Sequence, residues 1–215
     1  MFIVENVLWA EELAWVRQFA ADNFTGGHYA VSAAARAPQT VTTGGERQLA
    51  ELVLAALRRN DLFYRITLPL EISRPVIDRT APDIAGSPQE DTPVFRSLEG
   101  RQVRGDLSVM LIVSDPGEYE GGELLEPKSG ERFKPAAGSL VVLPGGAQEP
   151  APVMQGERHA IVFWVQSMVR DPEQRAVLTM LDKCIQVVWG RLPDGEEARQ
   201  LGRVLSSLGR MWINT

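Results

Sequence analysis

Between residues 10 and 23, Leu13, Val16 and Ala20 recur at the spacing of one helix face, and acidic residues occupy the first turn, where a helix N-terminus favours negative charge. A second helix is predicted over 46–60, with Leu49, Leu52, Val53, Ala56 and Leu57 on one side. The intervening stretch, from Gly26-Gly27 through Ala, Ser, Thr and Gly residues to Gly45, reads as strand and loop. The period then changes. Residues 66–74, 107–113, 140–143 and 160–166 read as strands, and those at 107–113 and 160–166 are apolar almost without interruption, which predicts cover on both faces. Asp115-Pro-Gly and Glu120-Gly-Gly are turn sequences, and short strands divided by such turns predict a sandwich or jelly roll. Residues 80–105, with Pro82, Gly86, Pro88, Pro93 and Gly100 among polar neighbours, are predicted as one long irregular loop, a kind that is usually functional or disordered.

Helix returns at the C-terminal end. Asp171-Pro172 joins an N-cap residue to a proline at the first helical position. Val177, Leu178, Leu181, Cys184, Ile185 and Val188 follow at helical spacing, and Gly190 is expected to end the run. Asp194 opens a last helix with Ala198, Leu201, Val204, Leu205, Leu208 and Trp212 on one side. These two helices are expected either to pack on the β core or to form the seam of a homodimer. The fold class is therefore mainly β with flanking α, in a single domain over 1–215. It divides into an N-terminal helix and strand region (1–65), a jelly-roll core (66–170) and a C-terminal helical pair (171–215).

Composition narrows the function. At 215 residues, with 44% hydrophobic and 23% charged content, the chain suits one globular domain. No apolar run approaches the ~20 residues that span a bilayer, so no membrane partner is expected. A net charge of −6 argues against nucleic acid and leaves a small molecule or another protein. The single cysteine, Cys184, excludes an internal disulfide, and the first residues lack a secretion signal, so a cytoplasmic location is expected. Cys184 is expected to be inert packing, and Phe163 and Trp164 to be core. No Gly-rich phosphate loop occurs, and no histidine is placed to serve a Ser/His/Asp arrangement.

Five segments follow one another in order: Asp106-Leu-Ser-Val-Met-Leu-Ile-Val-Ser-Asp-Pro, Tyr119-Glu-Gly-Gly-Glu-Leu, Ala137-Gly-Ser-Leu-Val-Val-Leu-Pro, Gly156-Glu-Arg158, and Phe163-Trp-Val-Gln-Ser-Met-Val-Arg-Asp. Together they resemble the PKHD-type branch of the Fe(II)/2-oxoglutarate dioxygenases, over residues 66–212. The resemblance implies a double-stranded β-helix, a jelly roll of cupin type, that holds iron with a His-x-Asp pair and a distant second histidine. It places the pair at Gln89-Glu90-Asp91 and the distal histidine at Gln148, so of the three ligands only the carboxylate of Asp91 has its counterpart. Arg158 matches the arginine that binds 2-oxoglutarate, and a tyrosine of the cosubstrate pocket falls at about Thr80. The chain has two histidines, His28 and His159, and neither stands at a ligand position of the resemblance.

Chemistry follows from the donors. Non-haem Fe(II) oxygenases use two imidazoles and a carboxylate. Carboxamide oxygens are poor substitutes, and an oxygen-only set suits a hard ion better. His159 adjoins Arg158 on a strand, so when one faces the pocket the other faces away. His28 is expected at the surface or satisfied in a core. No metal and no cofactor are therefore expected, where the family would use Fe(II) and 2-oxoglutarate. The pocket is expected to take a carboxylate-bearing small molecule through Arg158, with Gln89 and Gln148 as neutral hydrogen-bonding groups. Asp91 and Glu90, beside Glu149, are the acid/base candidates. Alternatives stay open: Arg158 as an internal ion pair, a non-catalytic partner of an active homologue, and a working dioxygenase with a non-standard ligand set.

Overall fold

A computed structural model describes residues 1–23, 44–82, 94–126, 129–145, 150–193 and 195–214. In chain order the elements are β1 (Phe2–Val4), α1 (Ala10–Asn23), α2 (Gly44–Arg58), α3 (Asp61–Thr67), β2 (Pro69–Ile72), β3 (Val76–Thr80), β4 (Val94–Arg96), β5 (Gln102–Arg104), β6 (Leu107–Ile112), β7 (Tyr119–Gly121), β8 (Leu124–Leu125), β9 (Arg132–Phe133), β10 (Leu140–Pro144), β11 (Val153–Gly156), β12 (Arg158–Ser167), α4 (Pro172–Arg191) and α5 (Glu196–Trp212).

The main sheet runs β1-β10-β6-β12-β2, with β3 also on β12, and all its pairs are antiparallel. Strand β12 is its spine, with β6 along one side and β2 and β3 along the other. Because strand side chains alternate, β12 divides its residues between two cores. Ile161, Phe163 and Val165 join Val109, Leu111, Leu140 and Val142 beneath the helices, where Val16, Val53, Leu57 and Phe63 meet them. Ala160, Val162 and Trp164 join Met110, Ile112, Val141 and Leu143 on the other face, closed over by Phe95, Val103 and Leu124. The short pairs β7–β11, β8–β9 and β4–β5 build this second layer, which makes the domain a jelly roll. The expected double cover of β6 and β12 is borne out, and Phe163 and Trp164 are both core. Phe95 lies flat on Trp164 with centroids 3.8 Å apart, and a Cβ at Gly105 would stand 2.6 Å from the Phe95 ring. The corner between β5 and β6 therefore needs a residue without a side chain.

Several boundaries differ from the sequence reading. Ile66 and Thr67 belong to α3, not to a strand. Asn60 caps that helix by accepting the Phe63 N–H at 3.0 Å, and Leu68, at φ 46°, ends it in the left-handed region. The span 80–105 is no single loop, since β3 reaches Thr80 and β4 pairs with β5 as a hairpin. Helix α4 starts where expected, Asp171 Oδ1 accepting from the Glu173 and Gln174 N–H groups at 2.8 and 3.0 Å, but it passes through Gly190 to Arg191. Cys184 is exposed on that helix and does not pack into the core. Residues 24–43, the predicted strand and loop with His28, and Asp194 lie outside the described residues. No described helix is long and apolar enough to cross a membrane.

Candidate functional site

Arg158 opens β12 opposite Thr80 of β3. Two glycines bring the second layer up to it. Gly121 and Gly156 have φ of 75° and 74°, and a Cβ on either would lie 2.2 Å from a carbonyl of the facing segment, Pro152 and Glu118 respectively. Alternation then turns Arg158 to the same face as Ala160, Val162 and Trp164, where it is 4% exposed.

Its guanidinium is held at both terminal nitrogens. Nη1 donates to the Gly122 carbonyl at 3.3 Å, and Nη2 donates to Thr80 Oγ1 at 3.1 Å. Thr80 Oγ1 in turn donates to Asp78 Oδ2 at 3.3 Å, and that oxygen stands 3.6 Å from Arg158 Nη2. The internal ion pair considered above thus exists, but through a hydroxyl and at more than hydrogen-bond distance. Arg158 Nε is buried and has no hydrogen-bond partner among the described residues. A buried donor left unmade costs ~1–3 kcal/mol, more when charged. The arrangement is an arginine fixed by its tips, with the Nε donor between them and the chain unsatisfied.

Tyr119 of β7 is buried beside this charge. Burial raises its phenol pKa, and the nearby Arg158 works in the opposite sense, so the hydroxyl stays protonated at neutral pH. Lys134 holds the tyrosine, with Nζ 4.4 Å from the ring centroid and donating to the Tyr119 carbonyl at 2.7 Å. His159 faces away, as alternation requires. Its backbone N–H donates to Ser114 Oγ at 2.9 Å, and its Nε2 stands 3.7 Å from Glu157 Oε2. Burial lowers the imidazole pKa, with Glu157 opposing. Arg79 bridges to the same Glu157 and keeps that carboxylate pKa low.

The structure brings Arg158 together with Thr80, Asp78, Tyr119 and Gly122. Gln89, Glu90, Asp91, Gln148 and Glu149 lie outside the described residues. Among the described residues no cluster of three His, Cys, Asp or Glu side chains could hold a metal ion. Sequence reading located Arg158 and Thr80 but missed Asp78 and the role of Tyr119. Asp78 could have been found from Thr80, because residues two apart on a strand share a face.

No family model matches the chain. A PKHD-type hydroxylase of Klebsiella pneumoniae is 37% identical over 221 residues, spanning 99% of this chain and 98% of the relative. A PKHD-type hydroxylase of Stenotrophomonas maltophilia is 35% identical over 218 residues, 97% of each chain. Among solved structures, a viral collagen prolyl hydroxylase of Paramecium Bursaria Chlorella virus-1 superposes with a TM-score of 0.49 at 14% identity, covering 77% of this chain and 94% of that one. With such identity to the bacterial relatives running from end to end, the chain belongs to the PKHD-type hydroxylase family.

Proposed function

We propose that this protein is a diverged member of its family that binds a carboxylate-bearing small molecule at Arg158 and does not carry out iron-dependent hydroxylation. The unpartnered, buried Nε of Arg158 carries the first half of this reading. A carboxylate forms two parallel charge-assisted bonds with one edge of a guanidinium, and an arginine already anchored by Gly122 and Thr80 loses little freedom in doing so. 2-Oxoglutarate, which the family uses, fits this receptor as any small acid would.

Iron does not fit the donors in the same way. The positions that the resemblance assigns to ligands hold Gln89, Asp91 and Gln148, one carboxylate and two carboxamides. Such a set favours hard ions over Fe(II), and His159, beside the arginine, faces away from it toward Glu157. The chemistry left to the chain is proton transfer on a bound acid, as in an elimination or cyclisation, with Asp91 or Glu90 as the base. A second reading has its own support: near full-length identity with hydroxylases favours a working 2-oxoglutarate dioxygenase with a non-standard ligand set.

Metal analysis of the purified protein, with calorimetric titration of 2-oxoglutarate in the absence and presence of Fe(II), separates the two. The proposal expects no stoichiometric iron, binding of the acid without metal, and no succinate. Succinate release that depends on added Fe(II) would establish the second reading instead.

A further inference from the structure

The outer side of α4 carries a row of residues whose spacing reads the same in either direction. Glu173, Val177, Met180, Cys184, Val187 and Arg191 follow at intervals of 4, 3, 4, 3 and 4, and all six are exposed. Leu178 and Ile185, on the inward side of the same helix, are buried. The apolar members of the row are far from marginal: Val177 is 47% exposed, Met180 67% and Val187 55%. The row is centred at the level of Asp182, whose carboxylate turns inward to accept from Arg65 Nε at 2.7 Å.

We propose that α4 is the seam along which two copies of this chain associate, about a two-fold axis that passes between the two helices at the level of Asp182. Such an axis sets the two helices antiparallel and makes the contact self-complementary, each surface meeting its own image. Val177 then meets the partner's Val187, and Met180 meets the partner's Cys184. These layers alternate by three and four residues, as interlocking helices require. Both ends close with opposite charges, because Glu173 meets the partner's Arg191. The acid sits in the first turn of its own helix and the base in the last, where each is favoured by its own helix dipole. The row thus places valine against valine and acid against base about one centre. The 20-residue helix is ~30 Å long, and a seam of that length buries on the order of 1,000 Å² in total, at the low end of specific interfaces. The dimer is therefore weak and concentration-dependent. It leaves Arg158 untouched, so this inference and the proposed function stand or fall separately.

The test uses the full chain. Sedimentation velocity over a concentration series should show a monomer–dimer equilibrium. Cys184 is the single thiol, and the two copies of it lie four residues apart along the seam, about 6 Å in axial separation. A short bismaleimide should therefore give a covalent dimer. Met180→Glu should abolish the dimer over the accessible range while the melting temperature holds. Glu173→Arg and Arg191→Glu should each weaken it about tenfold, and the two together should restore it. The inference is overturned by a chain that stays monomeric and uncrosslinked at every concentration. It is equally overturned by a dimer that Met180→Glu leaves intact, or by a double charge exchange that fails to rescue.

Discussion

Arg158 and His159 are neighbours in sequence with opposite environments, and each yields a prediction. Arg158→Ala and Arg158→Lys should both weaken binding of a small acid such as 2-oxoglutarate by about ten- to a hundredfold in calorimetry, because a charged hydrogen bond is worth ~1.5–3 kcal/mol and an ammonium cannot form the fork. Thr80→Val should weaken it less, since Gly122 still anchors Nη1. Equal losses in all three variants would mean that the arginine receives the ligand only while the threonine holds it. For His159 the sign is set by burial. A histidine whose folded pKa is depressed leaves the unfolded chain holding more protons at mildly acid pH. Its contribution is fully present above the ordinary value of 6.5 and is lost as pH falls below it, and the depressed Glu157 adds a further loss below 4.5. His159→Gln should flatten the first part of that fall in urea-denaturation midpoints measured from pH 7.5 to 5. The opposite orientation of the pair was legible in the sequence, because alternation is a local rule. The approach of Asp78 to Arg158 was legible only through Thr80, because it depends on β3 pairing with β12 across about 80 residues of chain.

Among elements, those with polar signals at their ends were the readable ones. Asp171-Pro172 fixed the start of α4, and the amphipathic run of α1 gave its bounds. Helix α3 was missed because Phe63 and Ile66, both buried, resemble strand residues when its seven-residue length hides the period. The signal that would have found it is Asn60. Asn60→Ala should therefore lower stability by ~1 kcal/mol in chemical denaturation, the usual worth of an N-cap. An unchanged midpoint would show that tertiary packing alone holds α3. At the other end of the second layer, Gly105→Ala would push a methyl into the ring of Phe95, stacked on Trp164. It should cost ~1–3 kcal/mol by overpacking, read from the same experiment.

At the scale of the molecule, the jelly roll was legible from strand lengths and turns, and the two-sided cover of β6 and β12 from their unbroken apolar runs. The acid/base and ligand positions at 89–91 and 148 rest on the resemblance, since they fall outside the described residues. Two cores on one sheet make a whole-molecule prediction. Phe163→Ala under the helices and Trp164→Ala under the second layer should each cost ~3–5 kcal/mol. Only the Trp164 variant should also alter acid binding, because its face carries Arg158. A Phe163 variant with equally impaired binding would mean that the two layers communicate. Strand β12 has one more consequence. With apolar side chains on both faces, hydrophobicity alone cannot tell its native pairing from one displaced by a single residue. Polar groups at its two ends must make that distinction: Arg158 on Thr80 and Asp78 at the start, and at the finish Ser167, whose N–H reaches Asp106 at 2.9 Å and whose hydroxyl reaches the Thr67 carbonyl at 2.8 Å. The arginine offered to a ligand is thus also one of two alignment marks by which the folding chain recognises its correct pairing, and a slip of one position would put an imidazole where the guanidinium belongs.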